Sequence, residues 1–293
     1  MHRENHGLPV LCSSPKSASV RGADHGLPVL WAIINLTPDS FYAGSRATVA
    51  EAIGRAEKMF ADGAAVIDVG AESTRPGASP VSAEVQIEVL TGFLRSFRTR
   101  FGEAFLRRVS IDTRDLKVMQ QVAEFGVGYI NDVSGGSPEI YRFIATAGVD
   151  YVLMHTQGTP DIMQKAPTYT NVCAEVLSYL QQRTALLTAA GVSSEKIIWD
   201  TGIGFGKTVE HNLALVASMP HFQQFGHRVL AGVSRKSFIG RILGQDDPAD
   251  RLVGTLAVQI YLTLRGLKIL RVHDVKEMAD ALRMIAAIQE HEL

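Results

Sequence analysis

The sequence predicts an α/β protein, a single (β/α)8 TIM barrel, on three observations. Short apolar runs recur along the chain, each followed by a loop bearing Gly, Pro or Ser and then by a helical pattern. There are eight such units. Each apolar run also closes on polar residues: Asn35 after VLWAII, Asp68 late in AAVIDVG, Asp112 in VSIDT, Asn131 in GYIND, His155 after DYVLM, Asp200 after KIIW, Ser234 after RVLAGV, and Arg271 with His273 in KILRVH. The carboxyl ends of parallel barrel strands meet on one rim, so residues scattered over most of the chain become one site.

The elements follow in order. The first strand is expected at about 30–36 and its helix at about 48–62, stopped by Gly63. The second strand, about 65–69, leads to a helix after Ser82, which heads the cap pattern SAEV. Strands at about 108–112 and 128–132 precede helices at about 114–125 and 137–147, ended by Gly126 and Gly148. The fifth strand is placed at about 150–155, with a long helix at about 170–190 before Gly191. The sixth strand is placed at about 196–200 and its helix at about 209–218. The seventh strand, about 228–233, feeds a two-part helix over about 236–265, and the eighth, about 268–272, feeds a helix over about 274–290.

A chain of 293 residues, 46% hydrophobic, is long enough for one large core. Lys plus Arg is 29 against 30 Asp plus Glu, so nothing calls for a nucleic acid or an anionic membrane as partner. Cys12 and Cys173 have no metal-ligand spacing, and a reducing compartment, the cytoplasm, is expected. No apolar run approaches the roughly 18 residues of a membrane span. Residues 1–28 are read as a flexible N-terminal extension to a barrel over 29–293. HGLPVL occurs at His6–Leu11 and again at His25–Leu30, where it feeds the first strand. A tandem duplication leaving a dispensable first copy is favoured over an extra strand or hairpin on the barrel floor.

The rim residues suggest the chemistry. Asp112, Asn131 and Asp200 offer acceptors and donors suited to a flat, guanidine-like edge such as that of a pterin. Each alone is equally readable as a helix cap; three on one rim, facing Lys236 and Arg271, weaken that reading. GAESTRPGASP after the second strand carries Thr74, Arg75 and Pro76, and a hydroxyl beside a guanidinium suits an anion. In SRKSFIG, Ser234, Lys236 and Ser237 flank a helix start, where an anion is favoured. Arg271 and His273 lie two residues apart, on one face of the last strand, as a cationic clamp for phosphate. DTGIGFGKT fails the phosphate-loop spacing at Thr201, so an NTPase is rejected, and its glycines are read as a tight loop with Phe205 over a ligand. His155 is left as structural or supporting, with Met154 the better pocket wall. No dedicated metal motif is present, but Mg²⁺ could bind through a pyrophosphate and one side chain such as Asn35.

INLTPDSF (34–41), DVGAESTRPGA (68–78), SIDT (110–113), INDVSGG (130–136), LMHTQGTP (153–160), DTGIGFGKT (200–208), GVSRKSFIG (232–240) and RVHDV (271–275) together resemble the dihydropteroate synthase family over about residues 29–290. The resemblance implies condensation of 6-hydroxymethyl-7,8-dihydropterin diphosphate with p-aminobenzoate, releasing pyrophosphate, in folate biosynthesis. It implies that Asp112, Asn131, Asp200 and Lys236 hold the pterin, with Met154 and Phe205 as walls. Thr74, Arg271 and His273 would hold the diphosphate, and Asn35 the Mg²⁺. Phe41, Arg75, Pro76, Lys236 and Ser237 would border the p-aminobenzoate pocket, for which sulfonamides compete across the family. Asn35, Lys236, Arg271 and His273 are the expected catalytic residues, and a homodimer is the expected assembly, its face supplied by the last long helices.

Two departures stand out. The family's usual TPDSFSDGG reads TPDSFYAGS here, placing Tyr42 and Ala43 where Ser and Asp are expected, and the usual DPG reads DTG at 200–202. The first bears on metal use and on whether this is a sulfonamide-resistant member. Two other readings compete: a pterin-binding barrel of the corrinoid methyltransferase type, and a non-catalytic pterin binder.

Overall fold

The computed structural model describes residues 26–36, 46–72, 80–158 and 167–291, with the side chains of 46–48 set aside. Residues 1–25, most of the N-terminal extension, lie outside the described residues, as do Phe41, Tyr42, Ala43, Thr74, Arg75 and Pro76.

Eight parallel strands close into a barrel in sequence order: β1 (Val29–Asn35), β2 (Ala64–Gly70), β3 (Val109–Asp112), β4 (Tyr129–Asp132), β5 (Asp150–Met154), β6 (Ile197–Asp200), β7 (Arg228–Ala231) and β8 (Ile269–Val272). The ring shuts where β1 pairs with β8, Val29 against Ile269 and Trp31 against Arg271. Just before β1, Leu27 packs on the core and the Gly26 carbonyl accepts from Lys268 Nζ, so the second HGLPVL copy does lead into the barrel.

Around the strands run α1 (Arg46–Ala61), α2 (Ala83–Phe101), α3 (Leu116–Ala123), α4 (Pro138–Ala147), α5 (Val172–Ala189), α6 (Val209–Ala217), α7 (Met219–Gln223), α8 (Ser237–Leu243), α9 (Leu252–Leu264) and α10 (Val275–Gln289). Ser82 caps α2 as expected, its side chain accepting from Val85 N–H. The third helix is shorter than its apolar pattern suggested, because Asp115 is its cap and accepts from Lys117 N–H at 2.8 Å and Val118 N–H at 3.3 Å. The two-part seventh helix breaks at Gly244, left-handed at φ 68°, and resumes after a 3-10 turn begun by Pro248. Among the described residues, no helix is long and apolar enough to cross a membrane.

The apolar core has two shells. The larger lies between the strands and the helices. The smaller is Trp31, Val66, Val152, Ile198, Leu230 and Ile269, with Tyr129 against Trp31 at a ring separation of 4.6 Å. Side chains on a strand alternate between faces. Two residues beyond Val66, Tyr129, Val152, Ile198 and Ile269 come Asp68, Asn131, Met154, Asp200 and Arg271. The inner shell and the polar rim are therefore successive layers of one inward face, as barrel interiors stack.

Candidate active site

Strand register fixes the rim. Asn35 stands level with Gly70, Gly70 with Asp112, and Asp112 with Asn131. Across the barrel, Met154 stands level with Asp200. A Cβ on Gly70 would come within 3.3 Å of the Asp112 Cβ, so glycine leaves room for that carboxylate.

One side of the rim is a cation held by two acids. Arg271 donates from Nε to Asp68 Oδ2 at 2.5 Å and from Nη2 to Asp112 Oδ2 at 2.9 Å. Asn131 Nδ2 donates to the same Asp68 oxygen at 3.2 Å. Asp68 is wholly buried, and its second oxygen has no partner among the described residues. Burial pushes the Asp112 carboxyl up to about 7, with the guanidinium of Arg271 opposing and the charge of Asp68 adding to the rise.

The opposite side is built on the loop after β6. Asp200, buried at the strand end, accepts from Gly202 N–H at 2.7 Å. Burial raises its pKa, against the pull of Lys236 and that N–H. Lys236, from the loop after β7, donates to the Ile203 carbonyl and lies 4.7 Å from the centre of the Phe205 ring. Burial brings its ammonium down to about 8, although Asp200 favours the charge.

Lys207 pins this loop to β5. Its Nζ donates to the Phe205 carbonyl at 2.9 Å and stands 3.0 Å from His155 Nδ1. Desolvation carries Lys207 down to about 7 and His155 down to about 3, the neighbouring lysine adding to the latter. The contact is close enough to exclude side chains: at Gly202, φ 66°, a Cβ would lie 1.8 Å from the His155 carbonyl oxygen. The lysine of GFGKT is thus a buried strut, which agrees with rejecting a phosphate loop.

These contacts and registers bring Asp112, Asn131, Met154, Asp200, Phe205, Lys236 and Arg271 together on one rim of carboxylates, a carboxamide and two cations. The match with known proteins is extensive. The model of the family "Pterin binding enzyme" matches residues 31–273. A dihydropteroate synthase of Haemophilus influenzae is 39% identical over 264 residues, covering 89% of this chain and 94% of that one. The chain belongs to the dihydropteroate synthase family.

Two solved structures of that family's Xanthomonas albilineans enzyme superpose closely. One, with 4-aminobenzoic acid, has a TM-score of 0.82 at 35% identity, covering 90% of this chain and 94% of that chain. The other, in complex with 7,8-dihydropteroate, scores 0.79 at 32% identity, covering 90% and 95%.

The remaining dihydropteroate synthase motifs distribute as follows. Asn35 is exposed at the end of β1, and Ser237 is exposed at the first turn of α8. His273 lies one residue past β8, its Nδ1 3.0 Å from Ser234 Oγ, while Arg271 is turned onto Asp68 and Asp112. Each of the two side chains thus has a protein partner of its own. Phe41, Thr74, Arg75 and Pro76 cannot be placed on this rim, being outside the described residues. The sequence placed Asp68 at a strand end but gave it no role, and it gave Lys207 none either. The role of Asp68 had a signal, an acid on the inward face two residues beyond Val66; that of Lys207 had none, because its partner His155 lies 52 residues away.

Proposed function

We propose that this chain joins 6-hydroxymethyl-7,8-dihydropterin diphosphate to p-aminobenzoate with loss of pyrophosphate. The observation that carries the reading is the rim itself: acids and a carboxamide from β2, β3, β4 and β6 face one cation from the loop after β7, Lys236, and one from β8, Arg271. Asp112, Asn131 and Asp200 match the donor edge of a pterin, and Met154 and Phe205 supply its walls. We assign the border of the acceptor pocket to Lys236, Ser237, Phe41, Arg75 and Pro76. We assign the diphosphate to Arg271, His273 and Thr74, since a cation and aimed donors stabilise charge developing on a leaving group. An aniline is largely neutral at pH 7, so the amine needs placing more than activating. No observation favours a methyltransferase-type or a silent pterin-binding barrel.

The rim's donors fit an ion that draws most of its ligands from substrate. Among the described residues no group of three or more His, Cys, Asp or Glu is placed to hold a metal. Asn35 offers one hard oxygen at the exposed end of β1, as Mg²⁺ accepts when it keeps its waters and binds phosphate oxygens. When bound, Mg²⁺ would neutralise charge on the departing pyrophosphate. A homodimer is part of the reading, supported by exposed Val253, Leu264, Met284 and Ile288 on α9 and α10. So is a cytoplasmic location, since a charged diphosphate ester does not pass membranes and must be used where it is made.

Pyrophosphate and dihydropteroate should appear together when both substrates are supplied with Mg²⁺, and EDTA should suppress both. Failure to form dihydropteroate under these conditions overturns the reading.

A pH dependence also follows. The Asp112 carboxylate, not its acid form, accepts from the pterin edge, and its pKa stands at about 7. Pterin affinity should therefore fall as pH is lowered through 7, approaching tenfold per unit. Lys236, at about 8, gives the opposing limb as it loses its proton. Calorimetric titration from pH 5.5 to 9 should show both limbs, and Asp112→Asn should remove the acid one. An acid limb that persists in that variant assigns it to another group.

A further inference from the structure

We propose that Arg235 and Asp274 form a latch that sets the distance between the loop after β7 and the loop after β8, and that the pair positions the transfer step. This rests on the synthase reading above. The two loops meet residue for residue. His273 N–H donates to Ser234 Oγ at 3.3 Å, beside the ring contact already described. The next residue of each loop then pairs: Arg235 donates from Nε to Asp274 Oδ2 at 2.9 Å and from Nη2 to Asp274 Oδ1 at 2.6 Å. That two-pronged geometry fixes direction as well as distance.

Three further observations single this pair out. Arg235, at φ 57°, is the non-glycine residue with positive φ among the described residues. Such a conformation persists only when its surroundings over-determine it. They do here: its N–H donates to Thr255 Oγ1 at 2.9 Å, its Nη1 to the Pro248 carbonyl at 3.1 Å, and its own carbonyl accepts from Arg251 Nη1 at 3.0 Å. Asp274, in turn, occupies the cap position of α10, where Asp ordinarily accepts from its own helix, yet it makes no side-chain cap bond. Both its oxygens go to Arg235 instead. Lastly, the latch joins the residues directly beside the assigned machinery: Lys236 and Ser237 follow Arg235, and Arg271 and His273 precede Asp274.

A bimolecular displacement depends on how the leaving diphosphate, held by one loop, lies relative to the amine, placed by the other. A small error in that spacing affects the transition state more than the binding of either substrate. Arg235 and Asp274 need touch neither substrate to have this effect, so they are positioning residues.

The test is steady-state kinetics on the full chain, with the parent measured first. A parent that makes no dihydropteroate overturns the synthase reading and leaves the geometry of the latch unaltered as a separate matter for the melting cycle below. With an active parent, Asp274→Asn and Arg235→Gln should each lower kcat at least tenfold, with both KM values within threefold. Arg235→Lys should recover part of kcat. The double variant should be no slower than the slower single, as for one shared contact. Arg235→Gly, which suits the backbone without strain, should be as slow as Arg235→Gln. Unchanged kcat in Asp274→Asn, additive losses, a KM effect alone, or full turnover in Arg235→Gly would each overturn the latch. Should an Arg235 variant not fold, Asp274→Asn decides alone, being isosteric. The same single and double variants followed by melting should be non-additive even where no turnover can be read; additive melting shifts show no latch.

Discussion

An Asp200→Ala variant is expected to fold and to lose at least about 30-fold in dihydropterin affinity. The figure corresponds to about 2 kcal/mol, the worth of a buried hydrogen bond to a charged group. Asp200 stands at the end of β6, 6% exposed, aligned by Gly202 N–H and facing the charge of Lys236. Removing it takes away an acceptor for the pterin and a counter-charge for Lys236 at once. The fold should survive, because burial already disfavours this carboxylate and the residue replaces no part of the apolar shells. Calorimetric binding together with a thermal melt separates the two effects. Near-normal affinity in a folded variant would sink the assignment of the pterin to this side of the rim.

Arg271→Met should be the most destabilising substitution on the rim. It strips the shared cation from Asp68 and Asp112 while keeping the aliphatic stem. Removing one partner of a buried pair costs about 3–5 kcal/mol, since the charge left behind has no compensation. Burial holds the folded Asp112 pKa at about 7, above its ordinary value, with Arg271 restraining it. Without Arg271 it rises further, so the carboxyl's contribution is retained at low pH and lost as pH rises through the neutral range. The stability gap to the parent should thus be wide at pH 8 and narrow at pH 5.5 in denaturant titrations. A gap that widens on acidification, or none at pH 8, would show that the acids are satisfied by other groups.

The barrel was legible because each strand repeats the same unit, an apolar run, a polar end and a breaker, so errors in one unit do not spread. Its boundaries were less so. The 3-10 turn Glu103–Arg108 and the short α7 went unread, since six and five residues carry too little periodicity to stand out. The rim residues were visible one strand at a time, and their convergence follows from topology alone. What could not be read was which of them pair. That Arg271 turns to Asp68 and Asp112, or that Lys207 finds His155, depends on side-chain directions across strands far apart in sequence. The N-terminal duplication and the loop bearing Tyr42 and Ala43 stay as expectations from the sequence.

The layering of the barrel interior has a consequence for how such a chain can change over generations. Packing is discharged by Val66, Val152, Ile198 and Ile269, while recognition is discharged two residues later on the same strands. Selection can therefore act on what the opening accepts, one side chain at a time, with the supporting layer beneath left intact. A lineage pressed to refuse an unwelcome guest at the rim has room to do so without first becoming a less stable protein.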